Sequence, residues 1–364
     1  MPKEPFIPED LPVKLDYNLI TETHSADAEL AKLDVVLKHI PNPKLLGRTF
    51  AAKEALLSSQ IEGTIATLNE VFAFEVEQEK MNMTRLDELQ EVSNYTKALE
   101  QGIELLDQNN PLTERIFKTL HRVLLQSGRG STRAPGEYRR IQVYIGKPGA
   151  TPENASYVPP LPPNIPALMS NLEKYLNTKS TRDPLVQIAI GHYQFEAIHP
   201  FLDGNGRVGR LLISLLLYKF GILTHPFIYL SEFFEEHRRD YYDLLRGVSE
   251  QGQWSEWINF FLRGVATQAR KARESAEQIE KLHVQLRERV SGLHSVYAHQ
   301  LLDAIFARPI FSATTIAPRA RIKNRQTLLN VIAKFEKAGI IIDKFPHRKR
   351  KKIYYFEDLM SILK

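Results

Sequence analysis

The stretch that decides the fold is His199-Pro200-Phe201-Leu202-Asp203-Gly204-Asn205-Gly206-Arg207-Val208-Gly209-Arg210. It gathers an imidazole, a carboxylate, three glycines, an amide and two guanidinium groups between two apolar segments. Upstream, Asp183 suits an N-cap and Pro184 the first helical position, so the spacing predicts a helix over Pro184–Ile198. Pro200 disfavours helical geometry at His199 and stops that helix. Downstream, Leu211-Leu212-Ile213-Ser214-Leu215-Leu216-Leu217 is apolar nearly all round, which predicts a buried helix closed by Gly221. The quoted stretch is therefore a loop between two core helices, running into the N-terminus of the second.

A helix N-terminus offers unpaired N–H groups and partial positive charge, and so favours phosphate. Gly204 and Gly206 let the backbone turn sharply and approach oxygen atoms closely. Arg207 and Arg210, three apart, share a helical face and reach the same anion. Asp203 would repel a phosphate unless a cation lies between them, and magnesium binds through one or two carboxylates plus the phosphates. His199, four residues away, has the place of a general base for an incoming hydroxyl. Together these roles point to phosphoryl or nucleotidyl transfer from a magnesium nucleotide. His192, His199 and Asp203 also raise a zinc or iron site, but no further ligand falls at a convincing spacing.

Position for position, residues 199–210 resemble the HPFxDGNGRxxR signature of the Fic (filamentation induced by cAMP) family. Most members move AMP from ATP to a Ser, Thr or Tyr hydroxyl of a protein. The resemblance implies that His199 deprotonates the acceptor and Asp203 holds Mg2+. It also implies that Gly204, Asn205 and Gly206 form an anion hole, with Arg207 and Arg210 on the ATP phosphates. A minority of the family transfers other phosphate-linked groups with altered motifs; the intact string points to AMP.

A helix expected over 45–61 ends in Ser58-Ser59-Gln60-Ile61-Glu62-Gly63. Ser58, Glu62 and Gly63 are similar to the family's inhibitory motif, [S/T]xxxE[G/N], whose carboxylate pairs with the last motif arginine, here Arg210, in place of the ATP γ-phosphate. Ser59-x-x-Glu62 also has the spacing of a capping box, but such a box opens a helix, whereas Gly63 reads as a stop. Because this helix precedes the core, the resemblance implies self-inhibition, in cis or between protomers.

At 364 residues the chain has room for two or three domains, and the absence of cysteine excludes disulfides and cysteine-ligated zinc. No apolar run is long enough to span a bilayer and no apolar leader opens the chain, so a cytoplasmic protein is expected. Helices are expected over 25–40, 84–108 and 111–127. Residues 141–145 and 156–158 read as two short strands, similar to the Fic β-hairpin flap. That flap binds the target peptide through its main chain, here at Val143, Tyr144, Ile145 and Gly146. In the family the run that here holds Tyr241 and Tyr242 lies against the nucleotide base; Trp254 and Trp257 are assigned to the core.

From Val265 to Val290 an apolar stripe recurs every three or four residues, as on a connector helix packed on the core or on a second copy of the chain. From Leu301 onward the chain carries 14 Lys and Arg against 5 Asp and Glu, where the residues before it carry 34 against 38. Three helices over 299–307, 313–320 and 325–338, then strands at 340–344 and 353–356, resemble a winged helix. Arg348, Lys349, Arg350, Lys351 and Lys352 fall on its wing, and Arg321, Lys323 and Arg325 beside them suit contact with a DNA backbone, although winged helices also bind proteins and charge runs are often only solvated.

The expected fold is mainly α: a Fic-type helical core with a short β-hairpin flap and a small C-terminal winged-helix (α+β) domain. Its expected divisions are 1–110, with the inhibitory helix, 111–264 (core), 265–294 (connector) and 295–364. The expected function is a protein adenylyltransferase, using ATP and Mg2+ on a hydroxyl-bearing protein and on itself, restrained by Glu62. A DNA-binding regulator with a nucleotide-sensing core and an AMP-removing enzyme are the alternatives.

Overall fold

The two helices that flank the quoted loop form the centre of the molecule. The computed structural model describes residues 4–11, 20–39, 43–77, 83–107, 110–128, 130–146, 149–178, 183–345, 347 and 352–363. In chain order its helices are α1 (Ile20–His39), α2 (Pro43–Ile61), α3 (Leu68–Glu77), α4 (Met83–Asp107), α5 (Glu114–Leu124), α6 (Ile165–Asn177), α7 (Pro184–Ile198), α8 (Asn205–Lys219), α9 (Leu230–Glu236), α10 (Arg238–Gln251) and α11 (Trp254–Ser291). Helix α7 has the predicted limits, and the Asp183 carboxylate accepts the Leu185 N–H at 2.8 Å as its N-cap. Nearly every residue of α7 and most of α8 are buried, as the all-round apolar sequence requires. Around them pack α4, α5 and α6, with α2 against α4, α8 and α9.

Helix α11 begins at Trp254, so the connector expected from residue 265 is the continuation of one 38-residue helix. The helix packs chiefly on α1, with smaller contacts to the core helices α7, α9 and α10 and to the C-terminal unit. Trp257 is fully buried and its indole donates to the Ala189 carbonyl at 2.9 Å, which ties α11 to α7.

The C-terminal unit runs α12 (Ala298–Ala307), β1 (Ile310–Phe311), α13 (Ala313–Ala320), α14 (Arg325–Lys337), β2 (Ile342–Asp343), β3 (Tyr354–Tyr355) and α15 (Glu357–Leu363). Its antiparallel sheet has the order β1-β3-β2, with Ile310 and Ile342 both opposite Tyr355. Strand β1 and helix α15 were not foreseen. The three helices and the β2–β3 pair were, and Ser312 opens α13 with a capping box. Arg321 and Lys323 lie in the α13–α14 turn, while the expected wing residues Arg348–Lys351 lie outside the described residues. Lys352 is held by Asp343 at 3.2 Å. The unit packs α12 on α2, β1 on α3 and α15 on α11.

The flap needs a correction. The two expected strands reduce to one antiparallel bridge, Ile145 with Tyr157. Pro159 and Pro160 have no N–H to extend the ladder, and side chains bond their carbonyls instead: Gln142 Nε2 to Pro159 at 2.8 Å and Arg139 Nη2 to Pro160 at 2.5 Å. No helix among the described residues is long and apolar enough to cross a membrane.

Candidate active site

A cavity of about 550 Å³ opens where the N-terminus of α8, the end of α2, the flap and α10 meet. Of the predicted residues, His199, Gly206, Arg210, Glu62, Ile145, Gly146 and Tyr242 line it. Gly204, Asn205, Asp203 and Arg207 lie next to it in the loop and first turn of α8 but are not part of its wall, and neither are Val143 and Tyr144.

His199 caps α7 in the left-handed conformation, φ 48°, because Pro200 bars the helix and the loop must reverse at once. Burial and the nearby Arg139 charge lower its pKa to about 4, against the opposing pull of Glu62 and Asp203, so the imidazole is neutral at pH 7. Its Nδ1 is buried without a hydrogen-bond partner among the described residues. A neutral imidazole in a cavity wall is ready to accept a proton.

The turn that follows is braced from several sides. Asn205 bonds Phe201 twice, Nδ2 to the carbonyl and Oδ1 from the N–H, both at 2.9 Å. Its side chain is thus committed to shaping the loop, which leaves the backbone N–H for an anion. Gly204 takes φ 75° at the N-cap and donates its N–H to Asp203 Oδ1 at 2.6 Å. Arg207 is buried between Glu91 at 3.3 Å and Asp203 at 3.4 Å. Among the described residues no group of three or more acids, histidines or cysteines forms a metal cage.

Arg210 is 2 % exposed and bound by the end of α2: Nε donates to Ser58 Oγ and Nη2 to the Ser58 carbonyl, both at 2.9 Å, and Nη2 to Glu62 Oε1 at 2.7 Å. Burial pushes the Glu62 carboxyl up, but Arg210 outweighs it and holds the group below its ordinary value. The capping-box reading fails because Ser59 Oγ bonds back to the Ala55 carbonyl at 2.8 Å, and Glu62 lies past the end of α2, before Gly63 at φ 93°. A methyl group on Gly206 would overlap Glu62 Oε1, so the glycine lets that carboxylate lie against the first turn of α8.

Tyr241 does not reach the cavity. It is 1 % exposed and bonds His192 Nε2 at 2.9 Å, while His192 Nδ1 donates to the Gly209 carbonyl at 3.1 Å. His192 is thereby a structural residue of the α7–α8–α10 contact. Tyr242, 43 % exposed, faces the cavity together with Arg238, Leu245, Arg246 and Ser249 of the same helix face.

Sequence reasoning missed His121, Arg139 and Glu196. His121 is fully buried and stacks flat on Phe201, centroids 3.7 Å apart. Its Nδ1 accepts the Gly136 N–H at 2.8 Å, so Nε2 carries the proton and donates to the Asp203 carbonyl at 3.0 Å. Glu196 lines the cavity with Oε1 buried and unpartnered among the described residues, and burial raises its pKa to about 7 against the opposing Arg210 charge.

With this geometry in hand, the chain can be set beside known proteins. The Fic/DOC family N-terminal profile matches residues 20–104 and the Fic/DOC family profile matches residues 111–217, together more than half of the chain. The chain belongs to the Fic/DOC family. The protein adenylyltransferase Fic of Aedes aegypti is 31 % identical over 218 residues, 58 % of this chain and 40 % of that protein. The protein of the same name from Drosophila melanogaster is 30 % identical over 202 residues, 55 % of this chain and 37 % of that protein. The chain thus spans about two-fifths of the length of these curated relatives. Among solved structures, a Fic family protein from Desulfovibrio desulfuricans G20 matches over 94 % of this chain and 98 % of its own, with TM-score 0.58 and 23 % identity. Residues 134–508 of Fic-1 from C. elegans match over 72 % of this chain and 73 % of theirs, with TM-score 0.53 and 21 % identity. These likenesses show the Fic fold.

Proposed function

We propose that the chain is a protein adenylyltransferase that moves AMP from ATP to a hydroxyl of a target protein and of itself, restrained by Glu62. The observation that carries this reading is the meeting, in one cavity, of a neutral His199, the open N-terminus of α8 and Arg210 held by a displaceable carboxylate. The acceptor oxygen bonds the α-phosphorus, the bond from that phosphorus to the bridging oxygen breaks, pyrophosphate departs, and the hydroxyl proton passes to His199. Arg210 and the α8 N–H groups bind the phosphates, and Tyr242 is the base-pocket residue. The γ-phosphate takes the place of Glu62 on Arg210.

A magnesium ion suits Asp203. Its carboxylate is 40 % exposed, Oδ1 is already bonded to Gly204, and Oδ2 faces Gly130, where a Cβ would crowd it at 2.7 Å. One free carboxylate oxygen matches an ion held otherwise by phosphate and water. Bound there, magnesium would neutralise phosphate charge.

The test is transfer of label from ATP labelled at the α-phosphate, with magnesium, to the chain and to a cell lysate. Label should rise with Glu62→Gly and vanish with Glu62→Gly/His199→Ala. No label in any variant would sink the reading. Loss of AMP from a pre-labelled target would then favour AMP removal, a reading supported by Glu62 and His199 sharing one cavity. A DNA contact by the winged-helix-like C-terminal unit is a second reading, favoured by the exposed Arg321, Lys323 and Arg325. It requires duplex binding that weakens with salt and with charge removal at those residues.

A further inference from the structure

Arg139 is the charged side chain near His199 that the proposed reaction leaves without a role. It is 2 % exposed, and every bond it makes goes to an uncharged oxygen: Nε to the His199 carbonyl at 2.9 Å, Nη1 to the Ile141 carbonyl and Gln142 Oε1 at 3.3 Å each, and Nη2 to the Pro160 carbonyl at 2.5 Å. Its own N–H donates to the Pro200 carbonyl at 2.9 Å. No carboxylate pairs with it among the described residues, and burial lowers its pKa to about 10. A buried cation without a counter-ion is costly, and a neutral side chain would fill the space at less expense. What a guanidinium adds is a rigid planar fork that reaches several carbonyls at once, which an ammonium cannot do.

The carbonyls come from three pieces of chain. His199 belongs to the catalytic loop, Ile141 to the outgoing arm of the flap and Pro160 to its returning arm. His199 has a left-handed backbone, which a side-chain-bearing residue keeps only when its surroundings enforce it. Among the described residues the flap has a single bridge, and its base is tied down by side chains: Arg139, Gln142, which bonds both Arg139 and the Pro159 carbonyl, and Tyr157, whose hydroxyl donates to the Ala197 carbonyl at 2.8 Å. Arg139 is the side chain that bonds the His199 carbonyl and both arms of the flap at once.

We propose that Arg139 is the positioning residue of the transfer, locking the flap where the acceptor docks to the backbone of His199 so that hydroxyl and imidazole meet in a fixed register. This rests on the adenylyltransferase reading for its acceptor and its base, and goes beyond it in naming the residue that joins the two. In that reading ATP binds through Arg210, the α8 N–H groups and Tyr242, none of which Arg139 bonds, so Arg139 governs the transfer step and leaves nucleotide affinity alone.

The experiment compares Arg139→Met and Arg139→Lys with their parent, all carrying Glu62→Gly. Three quantities are measured: transfer kcat, affinity for a non-hydrolysable ATP analogue by calorimetry, and the 13C shifts of the His199 backbone by NMR. Both variants should lose about a hundredfold in kcat, the scale of a misplaced reacting group, with analogue affinity within about twofold of the parent. The His199 shifts should leave the left-handed range, and lysine should not rescue. Gln142→Ala, which removes the flap-side bonds to Arg139 Nη1 and the Pro159 carbonyl and leaves the Arg139 bond to His199, should lose only about fivefold, with unchanged His199 shifts. Unchanged kcat in Arg139→Met, equal losses of kcat and analogue affinity, or full rescue by lysine would overturn the proposal. A parent that transfers no label defeats the adenylyltransferase reading instead; the His199 shifts then decide, and left-handed values kept in Arg139→Met count against the lock.

Discussion

Arg139 and Arg210 are buried alike, 2 % exposed each, yet they are bonded to different kinds of partner. Arg210 meets the Glu62 carboxylate, whose side chain is still 37 % exposed, along with Ser58. Arg139 meets backbone carbonyls and one amide oxygen. A guanidinium paired with a half-exposed carboxylate can exchange it for a phosphate, because the displaced group is solvated as it leaves. A guanidinium bonded to three stretches of backbone has no partner that can leave alone. On the proposed reading, the difference separates a switch from a rivet within one site.

The largest effect that would break this comparison is on nucleotide affinity. In the Glu62→Gly chain, Arg210→Gln should weaken an ATP analogue by about a hundredfold or more, the loss of a charge-assisted contact worth roughly 3 kcal/mol. Arg139→Met should leave it nearly unchanged; equal losses in calorimetry would show that the two arginines are not distinct.

Next in size is a pH effect on the Arg210 side. Glu54 is buried, and burial raises its pKa to about 7 against the opposing pull of Ser231 and Arg210. A carboxyl raised above its unfolded value favours the folded state while protonated. That stability is full below the unfolded value near 4.5 and is lost as pH rises through about 7. The loss is roughly 3 kcal/mol across that window. Urea melts at the two ends should show it in the wild type, and Glu54→Gln should flatten it.

A smaller change is expected from the Glu62–Arg210 pair. Because Glu62 is more than a third exposed, its pairing is screened, and Glu62→Gly should tighten the ATP analogue by about tenfold, near 1.4 kcal/mol. No change would mean that Glu62 does not compete with the γ-phosphate. Smallest of all is Arg239→Ala on α10, whose 3.6 Å pair with Asp243 leaves Arg239 93 % exposed. It should change the unfolding free energy from urea melts by no more than about 0.5 kcal/mol, the reference for an arginine that neither switches nor rivets.

Much of the site was legible in the sequence because its signals are local. Asp183-Pro184, His199-Pro200 and Gly221 mark the ends of α7 and α8 within a residue or two, and Ser58, Glu62 and Gly63 mark the end of α2. Tyr241 and Tyr242 show where local reading stops: neighbours on a helix point about 100° apart, so one faces the cavity and the other His192. Which does so depends on how α10 lies on α7. His121 and Arg139 were missed because their partners are carbonyls 82 and 60 residues away, and no periodicity encodes a bond to a distant backbone oxygen.

By itself the sequence determined the loop between two buried helices, the chemistry gathered on it and the carboxylate that ends α2. Apolar runs, prolines, glycines and caps act over one or two helical turns, and that range suffices for each of them. Only the tertiary structure decided that Ser59 is no cap, that the described flap residues form one bridge braced by Gln142, Arg139 and Tyr157, and that Tyr242 rather than Tyr241 reaches the cavity. These outcomes depend on which distant donor satisfies each buried carbonyl, and that assignment exists only once the helices have packed.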